Sequence, residues 1–212
     1  MILPPLYGIT DARGRGLSPA EAARLLADAG VRLVQVRDKC ASSRERLSNA
    51  RAAVRVLRAS GALAVVNDRP DVALLSEADG VHLGEHDLPP GAARRVLPEA
   101  ALVGASTHSV EAALAAMGDP SVSYVALGPI FATLSKETPH APLGLAAVER
   151  AARAKTKPLV VIGGIGAADV GACLAAGADS VAMIAGLLDG DVRANVEAAL
   201  ASAGSRAPGR TA

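Results

Sequence analysis

The sequence predicts an α/β fold: a single, compact (β/α)8 TIM barrel over residues 1–203, followed by a C-terminal tail, 204–212, expected to be disordered. Three observations predict it. Short apolar, β-branched runs alternate with alanine-rich stretches of helical spacing, and eight such pairs fit the chain. The 212 residues allow about 26 per pair, which is short but sufficient for a barrel. Polar residues collect after successive strands, the end at which a barrel builds its site.

The elements follow in order. A strand over 6–10 leads to a helix over 19–29, whose start is marked by Ser18-Pro19 and by Glu21 in the first turn. The second strand, 33–36, precedes a helix over 42–59, and the third, 63–66, a short one over 71–76. Strand four, 80–83, is followed by a helix over 91–97. Strand five, 102–104, feeds a helix over 110–117 with Ser109 as N-cap and Glu111 behind it. Strands over 124–127, 159–162 and 180–184 alternate with helices over 145–154, 167–176 and 192–201. One turn texture recurs in Ala29-Gly30-Val31, Ala78-Asp79-Gly80-Val81 and Ala176-Gly177-Ala178-Asp179-Ser180-Val181: a glycine closes a helix and an apolar run resumes. Strands so continuously apolar suit a parallel sheet buried on both faces. The rival is an open doubly wound sheet, which usually carries a glycine-rich turn after its first strand. Thr10-Asp11-Ala12-Arg13-Gly14 is not GxGxxG.

Composition excludes several classes of function. The net charge of +1 lacks the basic footprint of a nucleic-acid binder, and two Tyr, one Phe and no Trp leave little for base stacking. The apolar runs are far too short for a transmembrane helix, and the start, MILPPLYGITD, lacks the basic and apolar regions of a signal peptide. Cys40 and Cys173 cannot make a disulfide framework and read as reduced thiols. The expectation is a soluble cytoplasmic protein with no nucleic-acid or membrane partner.

The strand ends carry the chemistry. Gln35, Arg37 and Lys39 alternate in an extended segment, so they share a side; with Lys136 they supply cationic donors suited to a diphosphate. Surface ion pairing of Arg37 and Lys39 with Asp38 is the bland alternative. Asp68 and Asp87 end adjacent strands, and two carboxylates beside cations suggest Mg²⁺ held together with substrate phosphate. The alternative, less favoured, is that they cap helices, since prolines follow both. Gly163-Gly164-Ile165-Gly166 after strand seven and Ile184-Ala185-Gly186 after strand eight fall where barrels often bind a phosphate monoester, though glycines also make plain turns. His82-Leu83-Gly84-Glu85-His86 spells the zinc-protease pattern HxxEH, but that chemistry needs one helix and this segment reads as a strand end. No CxxC, nucleophilic triad, nicotinamide fingerprint or Walker loop is present. Two phosphate pockets and Mg²⁺ suggest joining or isomerising phosphorylated small molecules.

At these residues the chain resembles the thiamine phosphate synthase family. The motifs are Gln35-Val36-Arg37-Asp38-Lys39, Val66-Asn67-Asp68, Asp79-Gly80-Val81-His82-Leu83-Gly84 through Asp87-Leu88, and Gly104-Ala105-Ser106-Thr107-His108. They continue with Gly128-Pro129-Ile130-Phe131, Thr133-Leu134-Ser135-Lys136, Pro139-His140-Ala141-Pro142-Leu143-Gly144 and Ile162-Gly163-Gly164-Ile165. The resemblance implies a barrel enzyme, a transferase of thiamine biosynthesis. It would join 4-amino-2-methyl-5-(diphosphooxymethyl)pyrimidine to a thiazole ethyl phosphate, giving thiamine phosphate and pyrophosphate. It implies that Gln35, Val36, Arg37, Asp38, Lys39, Asn67, Ser106 and Lys136 hold the pyrimidine diphosphate and that Asp68 and Asp87 hold Mg²⁺. Thr133, Leu134, Ser135, Gly164, Ile184 and Ala185 would hold the thiazole phosphate. Arg37, Lys39, Lys136 and Ser106 would stabilise charge on the leaving pyrophosphate in a dissociative displacement, which needs no side-chain nucleophile. Ser135 stands where the family commonly has threonine, and Ala185 where it has serine. The alternatives are a thiazole tautomerase of the same fold, which needs neither diphosphate pocket nor Mg²⁺, and a non-catalytic regulator binding thiamine-pathway phosphates.

Overall fold

The computed structural model describes residues 1–11, 15–132 and 140–204. Its eight strands are β1 Leu6–Ile9, β2 Leu33–Val36, β3 Leu63–Asn67, β4 Gly80–Leu83, β5 Leu102–Thr107, β6 Tyr124–Leu127, β7 Leu159–Ile162 and β8 Ser180–Met183. All pair in parallel in sequence order, and β8 returns to β1 through Leu6↔Val181 and Tyr7↔Ala182, closing the barrel. The helices are α1 Pro19–Asp28, α2 Ser43–Ala59, α3 Pro70–Ser76, α4 Pro90–Arg94, α5 Val110–Gly118, α6 Gly144–Ala154, α7 Val170–Ala175, α8 Ala185–Leu188 and α9 Val192–Gly204. None of them is long and apolar enough to cross a membrane.

The boundaries differ from the apolar runs in instructive ways. β3 takes in Asn67 and β5 extends to Thr107, so Ser106 lies inside a strand rather than beyond one. β1 stops at Ile9 and β8 at Met183. α4 ends at Arg94, and residues 167–176 divide into a 3-10 turn, Ala167–Asp169, and α7. Helix α9 carries through Gly204; the rest of the expected tail, 205–212, lies outside the described residues.

Local chemistry explains the helix starts. Ser18 and Glu21 form a reciprocal capping box on α1, with Glu21 N–H donating to Ser18 Oγ at 3.2 Å and Ser18 N–H to Glu21 Oε2 at 2.8 Å. Ser42 and Glu45 repeat it on α2. Ser109 caps α5 by accepting from Ala112 N–H at 3.1 Å. Alanines on the buried faces, such as Ala22 and Ala23 of α1 and Ala50 and Ala53 of α2, let helices lie close to the short strands.

Three reciprocal pairs fix register at the rim where the strands begin. Asp79 N–H donates to Ala64 C=O while its carboxylate accepts from Ala64 N–H, at 2.8 and 2.7 Å. Ser123 does the same with Val103, at 2.7 and 3.0 Å, and Asp179 with Leu159, at 2.8 Å both ways. These pairs join β3 to β4, β5 to β6 and β7 to β8. A one-residue slip would break both bonds of a pair.

The interior is less usual. Strand residues of inward phase include the buried Leu33, Val65, Val160 and Ala182, but also Tyr7 and Tyr124, whose rings meet edge to face at 6.1 Å. A hydrogen-bonded row crosses the barrel through them. Gln35 Nε2–H donates to Tyr7 Oη (3.2 Å); Tyr7 Oη lies 2.9 Å from Tyr124 Oη, which lies 3.0 Å from His82 Nδ1. His82 Nε2 then meets Ser106 Oγ at 2.9 Å. Burial pushes the Tyr7 phenol up to about 12 and holds the Tyr124 phenol well above its ordinary value, so both stay protonated. Glycine makes the space: a Cβ on Gly104 would collide with the Tyr124 ring and hydroxyl and with His82 Nδ1.

Two substitutions test this interior. Gly104→Ala should destabilise the protein by about 1–3 kcal/mol through overpacking against Tyr124 and His82. Tyr124→Phe should cost about 1–3 kcal/mol, because buried partners on both sides lose a bond. Both are read as equilibrium unfolding in denaturant; wild-type midpoints with unchanged slopes would mean that the row does not hold the interior together.

Candidate active site

The mouth of the barrel has two halves of different character. The charged half is built on the ends of β1 to β4. Thr10 Oγ1 accepts from Arg37 N–H at 3.1 Å, tying the chain after β1 to the chain after β2. The buried Arg37 guanidinium pairs with the buried carboxylate of Asp11. Burial lowers the pKa of Arg37, and the charge of Asp68 pulls it back up. A cation that has lost most of its water gains from any further anion delivered to it.

Lys39 Nζ lies 3.1 Å from Asp68 Oδ2. Asp68 has a left-handed backbone, φ 65°, a conformation that Asp tolerates better than most residues. Its N–H donates to His82 C=O at 2.8 Å, which prolongs the β3–β4 ladder by one bond and turns the side chain toward Asp87. Asp87 is held from the other side, since Gly84 N–H donates to its Oδ2 at 2.6 Å. Burial raises the Asp87 carboxyl above its ordinary range, and the Asp68 carboxyl beside it adds to the shift; Gly84 N–H and Lys39 act against it. Neither residue caps a helix: α3 has Arg69 and α4 has Pro89 at the N-cap, both without a side-chain bond. Two carboxylates pressed together beside one lysine form a donor set that fits a hard divalent cation such as Mg²⁺.

The second half is a cavity of about 450 Å³ over β4 to β8. Among the residues lining it are His82, Ser106, His108, Gly163, Gly164, Ile184, Ala185 and Gly186. Gly163 and Gly164 have φ 101° and 66°, and a Cβ on Gly164 would strike the carbonyl of Ala132 and the backbone of Phe131. These glycines are therefore demanded by the close approach of the β6 loop, whatever binds over them. Phe131 N–H donates to Gly163 C=O at 2.9 Å along the same contact. After β8 the chain turns at Ile184 into α8, whose first residue is Ala185.

The expected site residues thus fall into separate groups. Arg37, Lys39, Asp68 and Asp87 gather in the charged half. Ser106, Gly164, Ile184 and Ala185 line the cavity. Gln35 reaches the first half from inside the barrel, and Asn67 shares the inward phase of Val65. Val36 packs outward in the layer between strands and helices. The Asp38 carboxylate turns away toward α2, accepting from Ala41 N–H at 3.2 Å and from Asn49 Nδ2–H at 2.8 Å. Its surface pairing with Arg37 or Lys39 is therefore not formed; those cations meet Asp11 and Asp68 instead. Thr133, Leu134, Ser135 and Lys136 lie outside the described residues. His82 is the residue that the motif reading passed over: its HxxEH context drew attention to zinc, whereas it sits in a strand and touches Ser106. Its place midway along a buried strand was the available signal. Burial raises the Cys173 thiol to about 11, which removes it as a nucleophile.

The hydrogen-bonded row links the two halves, from Gln35 below the charged half to Ser106 Oγ at the cavity wall. Gln35 Nε2 donates into it; either phenol can donate to the other, and the roles of the two His82 nitrogens follow the imidazole tautomer.

Known proteins resemble this chain in sequence and in fold. The family model described as thiamine monophosphate synthase (TMP-TENI) matches residues 6–187. The thiamine-phosphate synthase of Methanoculleus marisnigri is 48% identical over 191 residues, which is 89% of this chain and 90% of that one. That of Anaeromyxobacter dehalogenans is 46% identical over 173 residues, covering 82% and 77%. The solved thiamine phosphate pyrophosphorylase from Pyrococcus furiosus superposes with a TM-score of 0.85 at 31% identity, covering 95% of this chain and 96% of that one. Matched along nearly the whole barrel by the family model and by these relatives, the chain belongs to the thiamine monophosphate synthase family.

Proposed function

We propose that the protein condenses 4-amino-2-methyl-5-(diphosphooxymethyl)pyrimidine with a thiazole ethyl phosphate, releasing thiamine phosphate and pyrophosphate. The observation that carries this reading is the cluster of Lys39, Asp68 and Asp87 beside Arg37, at the edge of a cavity lined by glycines and Ser106. A thiazole tautomerase or a regulator binding thiamine-pathway phosphates has no use for a crowded carboxylate pair next to two cations.

In the reaction the bond between the pyrimidine methylene carbon and the diphosphate oxygen breaks, and its electron pair leaves with the diphosphate. The thiazole nitrogen then forms the new C–N bond with its lone pair. Arg37, Lys39 and Lys136 oppose the negative charge that grows on the leaving oxygens, and the Ser106 O–H donates to the same anion. Asp68 and Asp87 would hold Mg²⁺, which would neutralise diphosphate charge. Gln35 and Asn67 orient the pyrimidine side. Val36 and Asp38 contribute through the main chain, their side chains being committed to packing and to α2. Thr133, Leu134, Ser135, Gly164, Ile184 and Ala185 take the thiazole phosphate, with backbone N–H groups as donors after β8.

The direct test is incubation with both substrates and Mg²⁺, with and without a chelator, while pyrophosphate is assayed; no release with the ion present overturns the reading. Asp87→Asn should lower kcat by about a hundredfold or more at limiting Mg²⁺. An amide oxygen can still accept from Gly84 N–H, so the fold should persist. Turnover close to wild type under those conditions removes Asp87 from the metal site.

Ala185 separates side-chain from backbone recognition. Ala185→Ser should change the KM for the thiazole phosphate by less than about threefold, equivalent to about 0.7 kcal/mol. Ala185→Pro deletes the N–H at the first position of α8, where a helix tolerates proline, and should raise KM far more. A tenfold gain in affinity from the serine would show that the hydroxyl, not the backbone, governs this pocket.

A further inference from the structure

Three side chains at the mouth have no part in the proposed reaction. Glu85 lies in the connection between β4 and α4, His108 directly follows β5, and His140 lies in the connection leading to α6. One ligand atom from each falls within 4.8 Å of the other two, the one such group of three or more among the described residues. The His108 and His140 rings are stacked, with centroids 3.9 Å apart and planes 12° from parallel. His108 Nδ1 is 2.7 Å from Gly128 C=O. A carbonyl only accepts, so Nδ1 carries the proton and Nε2 keeps its lone pair. A ring nitrogen pinned to a carbonyl is the support that metal-binding histidines commonly have.

We propose that Glu85, His108 and His140 bind a borderline divalent transition metal of the Zn²⁺ or Co²⁺ type, at a site separate from the Asp68–Asp87 pair. Two imidazole nitrogens and one carboxylate oxygen suit such ions, whereas Mg²⁺ takes oxygen ligands. Ligand atoms around tetrahedral Zn²⁺ stand about 3.3 Å apart, given bonds of about 2.0–2.1 Å. Rings this close to parallel aim their lone pairs side by side, so with His108 held by Gly128 the His140 ring turns out of the stack to meet the ion, and the exposed Glu85 closes on it by rotation. Three protein ligands leave a fourth position for water or another ligand, and His108 also lines the cavity. The ion would join the connections after β4, β5 and β6.

The test is titration of the tag-free full chain with Co²⁺ in excess Mg²⁺, followed by the visible d–d absorption, with Zn²⁺ as competitor. A Cys40→Ser background removes the one exposed thiol among the described residues. One equivalent of Co²⁺ should bind, Zn²⁺ should displace it, and the spectrum should survive Asp68→Asn with Asp87→Asn. His140→Ala and Glu85→Gln should each weaken Co²⁺ by about tenfold or more, with circular dichroism unchanged. Absence of a d–d band, or a band lost in the Asp68/Asp87 variant and kept in His140→Ala, overturns the site.

Discussion

The row of hydrogen bonds from Gln35 through Tyr7, Tyr124 and His82 to Ser106 is the constraint around which the rest is arranged. Barrel interiors of this class are ordinarily filled by branched aliphatic side chains. Here two phenols, an imidazole and an amide occupy that space, and none can be stranded without a substantial desolvation cost. Satisfying them requires the strands to hold a fixed register, requires glycine at 104 to admit the Tyr124 ring, and sets the orientation of Ser106 at the mouth. The interior thus transmits order to the mouth: Ser106, which lines the cavity, is aimed through His82 by tyrosines that lie beneath it.

Above that row, the division of the mouth follows from electrostatics. Cations and carboxylates cluster over β1 to β4, where each charge has an opposite charge within reach: Asp11 for Arg37, Lys39 for Asp68. The cavity over β4 to β8 has few charges and much backbone, which suits a smaller phosphate received by N–H groups. Asp87 shares Lys39 with Asp68 and is partly buried beside that carboxyl, so burial and its neighbour raise its pKa while Lys39 and Gly84 N–H oppose the shift.

Much of the fold was legible in the sequence because strands buried on both faces must be apolar runs, and capped helices must begin at residues such as Ser18 and Ser109. Several cores of those runs coincide with the strands. Their polar ends did not announce themselves: Asn67 and Ser106 belong to strands because ladder hydrogen bonds, not hydrophobicity, carry the pairing that far. Of the candidate site, what was legible is the placing of polar residues at strand ends: Arg37, Lys39, Asp68 and Asp87 gather there. The site was opaque where the direction of a side chain is decided by a distant partner. Asp38 turns to Asn49 on α2, and no local pattern says so. His82 and the tyrosines read as a zinc decoy and as a shortage of aromatics. Alternation alone cannot tell the interior from the helix-facing layer when both are buried. The stacked His108 and His140 belong to different loops and meet only in the closed barrel.

The reciprocal pairs at the opposite rim, Asp79 with Ala64, Ser123 with Val103 and Asp179 with Leu159, divide the cylinder into couples. Within a couple the rim carries a backbone bond and a side-chain bond between the same two residues; across β4–β5 and β6–β7 the corresponding backbone bonds are Leu102 N–H to Asp79 C=O at 2.8 Å and Val125 N–H to Pro158 C=O at 3.0 Å. From β3 to β8 the lower rim is thus less a uniform hoop than a set of staves riveted in twos, while among the described residues β1 and β2 carry no such rivet. The joins between those couples run up to His108 on one side of the cavity and to Gly163 on another, so the same doubling that fixes register below marks out the walls of the pocket above.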